Sequence, residues 1–204
     1  MPSRPIYLAS KSPRRHELLR QLGVEFAELR LREAPGRTRD VVEKVRAKES
    51  PASYVRRIAK AKATVAWHWM EIRGLPPRPV LGADTEVVVD DTILGKPADA
   101  ADAARMLGLL AGRTHQVITT IALRWEDQTV VIASTSAVTM RALDAGEIER
   151  YVATGEPFDK AGAYAIQGRA AAFVARIDGT YSGVMGLPLY ETADALARIG
   201  CPVL

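Results

Sequence analysis

The chain opens on an unbroken apolar run, Ile6-Tyr7-Leu8-Ala9, and then turns polar at Ser10-Lys11-Ser12. Leu18, Leu19 and Leu22 next share one helical face, and the run stops at Gly23. This pattern predicts a strand, a loop and a helix. Ser12 suits the N-cap, Pro13 the first turn and Gly23 the position past the end. A second helical period starts near Ser53, with Val55, Ile58, Ala59, Ala63 and Ala66 on one side. It ends near Gly74 and the prolines Pro76, Pro77 and Pro79, which suggest a boundary between lobes near 74–80. Val80 to Ala83 reads as a short strand that delivers Asp84. Val87 to Leu94 reads as a hairpin turning at Asp90-Asp91. A helix is predicted over 99–110, two longer strands over 116–123 and 129–140, and a short helix over 147–153. A strand over 173–177 and a helix over 188–199 complete the chain. Interleaved strands and helices place it in the α/β class, with a mixed sheet flanked by helices.

At 204 residues the chain has room for one domain, 1–204, or for one domain folded as two lobes. A hydrophobic share of 48% and a charged share of 25% exclude a disordered tail or a collagen. No run of 18 apolar residues exists, so no membrane span is expected. The first 15 residues hold four basic side chains and no apolar core, unlike a secretory signal. The single cysteine, Cys201, has no partner for an internal disulfide, which fits a reducing cytoplasm.

The net charge of +4 (28 − 24) lies within residues 30–48, where seven basic residues face three acids. The plain reading is a solvated face. The sharper one is an electropositive rim for a nucleotide or nucleic acid. Against nucleic acid stand the small total charge and an aromatic share of 6% with no stacking array.

Four segments carry candidate chemistry. The Ser10-x-Ser12-Pro13-Arg14-Arg15 loop opens a helix, where free N–H groups and the dipole favour phosphate and arginines grip it in two-pronged fashion. A capped helix with surface arginines is the plainer reading. Asp84, in Gly82-Ala83-Asp84-Thr85, stands at a strand end where α/β sheets place ligands. It suits a general base or a ligand of a divalent cation, or simply a turn aspartate. Lys96, held between Gly95 and Pro97, and Lys60 and Lys62 on the middle helix, are cations for phosphate or plain surface lysines. Gln167, in Tyr164-Ala165-Ile166-Gln167-Gly168, has a carboxamide that matches the N3–H donor and O4 acceptor of uracil and thymine. It also suits a loop-closing hydrogen bond. No HExxH, Cys/His cluster, Walker loop or GxSxG elbow is present.

LASKSPRRHELLRQLG (8–23), YVRRIAKAKA (54–63), GADT (82–85), GKP (95–97), DKAGAYAIQG (159–168) and GLPLYET (186–192) occur in one order over nearly the whole chain. In this combination the sequence resembles the Maf family of nucleoside triphosphate pyrophosphatases. The resemblance implies two lobes around a cleft, similar to the inosine triphosphate pyrophosphatase fold. It implies hydrolysis between the α and β phosphates with a divalent cation (Mg, Mn or Co), in a cytoplasmic homodimer that clears surplus or non-standard nucleotides. Arg14, Thr85 and Gln167 match the subgroup acting on dTTP and UTP. The same resemblance assigns Asp84 as proton acceptor and metal ligand, and Ser10, Arg14, Arg15, Lys62 and Lys96 as phosphate-holding groups.

One departure stands out. The family's acidic cluster, roughly Asp-x-Asp-Glu, is matched poorly by Leu31-Arg32-Glu33-Ala34-Pro35-Gly36-Arg37, which leaves Glu33 as the expected second metal ligand. Glu86, directly after Gly-Ala-Asp-Thr, compensates if it points into the cleft. By strand alternation it faces away from the Thr85 side. The eroded cluster and the basic segment support a second reading, a catalytically weak nucleotide- or nucleic-acid-binding regulator of cell division.

Overall fold

The protein's structure, a computed structural model, describes residues 4–32 and 40–203. Seven strands form one mixed sheet. In chain order they are β1 (Ile6–Leu8), β2 (Phe26–Glu28), β3 (Val80–Val89), β4 (Thr92–Leu94), β5 (Thr114–Trp125), β6 (Gln128–Met140) and β7 (Val174–Asp178). The spatial order is β2-β1-β3-β5-β6-β7, with β4 as a hairpin partner of β3. Strands β2 and β3 run parallel to β1, and the other pairings are antiparallel.

The helices are α1 (Pro13–Gln21), α2 (Pro51–Ile72), α3 (Ala100–Leu110), α4 (Ala145–Val152), α5 (Tyr181–Met185) and α6 (Leu189–Arg198). Helix α2 covers one face of the sheet, where Tyr54, Val55 and Ile58 meet Val88 and Ile118. The opposite face carries the main core, with Leu18 and Leu19 of α1, Leu107 of α3, Ile148 of α4 and Leu196 of α6. Each fully buried Leu or Ile side chain there contributes about 1.5–3 kcal/mol of transfer free energy.

Most local signals act as the sequence predicts. Pro13 starts α1 after Ser12, although the Ser12 side chain makes no capping bond. Asp99 caps α3, and Asp144 and Glu147 form a reciprocal capping box on α4. Asp90 and Asp91, at φ 48° and 57°, make the β3–β4 turn. Helix α2 begins earlier than predicted. Ser50 caps it by accepting from Ser53 N at 3.3 Å, and Pro51 takes the first position, where its missing N–H costs nothing.

Strand β3 is the main departure. The sequence reads as a short strand followed by a separate hairpin, but Val80–Val89 is one continuous strand. It stays extended because β5 pairs with it from Val80 to Val88. Its other edge is shared. Strand β1 pairs only as far as Leu81, and β4 begins only at Val87. Residues 82–86 therefore have an open edge. Gly82 lets α2 close over this stretch. A Cβ there would sit 2.6 Å from Ala63 N and 2.7 Å from Ala59 O, both backbone atoms of α2.

Candidate active site

Alternation along β3 sends Asp84 and Glu86 towards α2 and Thr85 to the opposite face. Both sides are polar, which is unusual for a strand inside a sheet. On the α2 side, Lys62 Nζ donates to Asp84 Oδ1 at 2.8 Å and stands 2.6 Å from Glu43 Oε1. Glu43 lies in the non-helical segment before α2, so one lysine joins the loop, the helix and the central strand. On the Thr85 side, Arg15 makes three contacts. Its Nη2 donates to Thr85 Oγ1 (3.1 Å), its Nη1 to Ser10 Oγ (3.2 Å) and its Nε to Gly186 O (2.8 Å). Thr119 Oγ1 lies 2.9 Å from Thr85 Oγ1 and 2.8 Å from Gly183 O. The start of α1, the open edge of β3 and the end of α5 thus meet at one place.

Burial sets the electrostatics. It pushes the Asp84 carboxyl above its ordinary pKa, while Lys62 and Arg15 pull it back and Glu43 adds repulsion. Burial alone would lower the Lys62 ammonium, but Asp84 and Glu43 outweigh it and the pKa rises. Glu43 is likewise opposed by burial and brought below its usual value by Lys62. Glu86 has no such partner. Burial, then Asp84 and Glu43, push it up to about 8. Asp84 Oδ2 and Glu86 Oε2 are buried with no hydrogen-bond partner among the described residues.

These oxygens bear on a cation. Two hard carboxyl oxygens without donors, on one face of one strand, suit a small divalent ion, which commonly takes one or two carboxylates and fills its shell with water and phosphate oxygens; such an ion would offset the burial that favours their protonated forms. Among the described residues no three acidic, histidine or cysteine side chains cluster closely enough to hold an ion by themselves.

The predicted residues thus separate into groups. Lys62 and Asp84 stand together on the α2 side of β3, while Ser10, Arg15 and Thr85 form a second group on the opposite side. Arg14 stands beside it, with Nε donating to Met185 O at 3.3 Å, and Asp159 opposes the lowering of its pKa by burial. Lys96 is exposed after β4 and acts electrostatically on Glu43 and Glu86. Gln167 is exposed on a turn closed by Gly168 N donating to Ala165 O, and it makes no hydrogen bond to either group among the described residues. Glu33 lies outside the described residues. Lys60 is on the solvent side of α2. Half-buried on α1, His16 has Nε2 3.0 Å from Ser10 O.

A profile described as Maf-like protein matches residues 5–199. The chain belongs to the Maf family. Among curated relatives, a protein of Nitrosomonas europaea is 52% identical over 198 residues, covering 97% of this chain and 96% of its own. One from Cupriavidus metallidurans is 54% identical over 195 residues, 96% of each chain. One from Aromatoleum aromaticum is 51% identical over 199 residues, 97% of each. All three carry the name dTTP/UTP pyrophosphatase.

Within this Maf chain, sequence reasoning missed Glu43 and Lys160. Asp40-Val41-Val42-Glu43 keeps the first and last acids of the Asp-x-Asp-Glu pattern, with valine in the third place. Asp40 turns away to Arg32 and Trp69, and Glu43 alone reaches Lys62. Lys160 is carried to the Lys96 side because Gly162 N donates to Gly95 O at 3.1 Å. Its ammonium is lowered by burial and by Arg14.

Proposed function

We propose that this protein is a divalent-metal-dependent pyrophosphatase that hydrolyses dTTP and UTP to the nucleoside monophosphate and pyrophosphate. The observation that carries the reading is the buried Asp84–Lys62 pair with Asp84 Oδ2 free, set at the open edge of β3 beside the start of α1. A structural ion pair has no use for an orphaned oxygen at a sheet opening. A general base does.

In the reaction, water adds to the α-phosphorus and loses its proton to Asp84 Oδ2, and the bond from the α-phosphorus to the bridging oxygen breaks. Pyrophosphate leaves with the bond pair. Lys62 and Arg15 oppose the rise that burial imposes on the Asp84 carboxyl and so favour its ionised, proton-accepting form. Arg14, Arg15, Lys96 and Lys160 supply positive charge along the triphosphate, and Ser10 is oriented by Arg15 to offer its hydroxyl. Asp84, with Glu86 or Glu43 beside it, would hold the cation. When bound, that ion supplies Lewis-acid polarisation of the phosphate oxygens. Gln167 reads the N3–H and O4 edge of uracil or thymine, and Arg14 and Thr85 complete the subgroup match.

The rest of the reading follows the family. We infer one domain of two lobes around a cleft, similar to the inosine triphosphate pyrophosphatase fold, with the 74–80 link between lobes. The single sheet crossing that link supports one domain. No described helix is long and apolar enough to cross a membrane. A cytoplasmic role in clearing surplus or non-standard nucleotides is what the family suggests. A homodimer is the proposed assembly.

The deciding experiment is a product assay on dTTP, UTP, CTP and GTP with Mg²⁺ or Mn²⁺. Monophosphate plus pyrophosphate from the first two supports the reading. Diphosphate plus orthophosphate, or no turnover beside tight DNA binding that weakens steeply with salt, overturns it.

A further inference from the structure

The turn that presents Gln167 is hung on two side chains to which the reaction as described gives no part. Tyr151, buried at the end of α4, donates its hydroxyl proton to Glu156 Oε1 at 3.0 Å. The same hydroxyl oxygen accepts from Ala165 N at 3.2 Å, two residues before Gln167. Two residues after it, Arg169 N donates to Glu156 Oε2 at 3.0 Å, and Ala170 N to Oε1 at 3.3 Å. Gly168 is pressed against that carboxylate so closely that any Cβ would overlap it. The Tyr151 ring is itself wedged edge-on against Phe173, with centroids 5.1 Å apart.

Both flanks of the turn are therefore bonded to one Tyr–Glu unit, while Gln167 between them is left for a ligand. This matters chemically because a carboxamide is two-faced. With its oxygen towards N3 and its amide towards O4 it serves uracil. Turned over, it serves the N3 acceptor and N4 amine of cytosine equally well. Discrimination requires that the amide be held, and a site built to pair with one edge then rejects the other.

We propose that Tyr151 and Glu156 are positioning residues for base selection: they fix the 165–168 turn so that Gln167 prefers uracil and thymine over cytosine. The inference rests on the reading of Gln167 as the base-contacting group.

The test uses the full-length enzyme and the Tyr151→Phe, Glu156→Gln and Gln167→Glu variants. Each is assayed for kcat and KM on UTP and CTP and for inhibition by inorganic tripolyphosphate, which has no base. The expected result for Tyr151→Phe and Glu156→Gln is a fall of about tenfold in the UTP-over-CTP ratio of kcat/KM. Most of it should appear as a higher KM for UTP, with tripolyphosphate inhibition unchanged. Glu156→Gln leaves Tyr151 packed in place, so it alone decides the matter should Tyr151→Phe not fold. If both ratios stay at wild type while Gln167→Glu shifts its own, the clamp is overturned and the role of Gln167 survives. If Gln167→Glu leaves the ratio unchanged, the reading beneath the clamp is what fails. If UTP and tripolyphosphate binding weaken together, the unit supports the whole site rather than base choice, and the proposal is also overturned.

Discussion

Lys62 Nζ lies 2.8 Å from Asp84 Oδ1, and the second oxygen of the same carboxylate is buried with no partner among the described residues. One oxygen is thus held by a cation from α2 while the other remains available on β3. Removing the lysine should damage the base without removing it. Lys62→Met is expected to lower kcat/KM by about 10²-fold or more, in line with the loss of a preorganised electrostatic group. Nucleotide-dependent quenching of the native tryptophans would show whether binding survives. A variant within a few-fold of wild-type turnover would remove Lys62 from the chemistry.

Gly82 is expected to resist any side chain. A methyl there would collide with backbone atoms of Ala59 and Ala63, which give way only if α2 lifts from the sheet. Overpacking of this kind costs about 1–3 kcal/mol. Gly82→Ala should therefore lower the melting temperature by several degrees and reduce activity, since α2 carries Lys62. A melting curve that superimposes on wild type would contradict the close approach.

His115 provides a pH dependence of stability. It is buried on β5 with Nε2 2.8 Å from the Tyr164 hydroxyl, and burial lowers its pKa from 6.5 to about 4. The unfolded chain therefore binds a proton near pH 6.5 that the folded chain refuses until about pH 4. The folded state keeps this contribution above pH 6.5 and loses it as pH falls towards 4, by up to about 3 kcal/mol at the acid end. His115→Gln keeps a hydrogen-bonding group and does not titrate. Urea midpoints between pH 7 and pH 4 should fall more for the wild type than for this variant. Parallel falls would contradict the assignment.

Metal dependence gives a further test. Chelation should abolish turnover, and Mg²⁺ or Mn²⁺ should restore it. Glu86→Gln removes one of the two orphaned carboxylate oxygens, so the metal concentration for half-maximal activity should rise severalfold. An unchanged metal requirement would place Glu86 outside the cation's reach.

Much of the fold was legible because its signals are local. Ser12-Pro13 and Gly23 bracket α1, Asp99 caps α3, and Asp90-Asp91 turn the hairpin. Elements that depend on distant partners were not. Strand β2 (Phe26–Glu28) is too short to show a period, and α5 (Tyr181–Met185) is a single turn and a half. The middle of β3 reads as a strand end because Asp84, Thr85 and Glu86 are polar, and only β5 keeps it extended. At the site, Ser10, Arg15, Lys62, Asp84 and Thr85 were legible as candidates from the motifs they sit in. Glu43 was not, because it sits on a non-helical segment whose approach to Lys62 no spacing reveals. The valine at position 42 further hides the acidic pattern. Gln167 stood out in the sequence as a candidate for contacting the base, but the Tyr151–Glu156 unit behind it did not, since its bonds run to backbone N–H groups that carry no sequence signature.

The central claim is that Asp84 takes the proton from the attacking water. Its most direct test is the rate of pyrophosphate release from dTTP by Asp84→Asn, measured at saturating nucleotide and metal. Asparagine keeps an acceptor for Lys62 but is no base. The expected result is a loss of about 10²–10⁴-fold in kcat with nucleotide binding retained. Release within tenfold of wild type would contradict it.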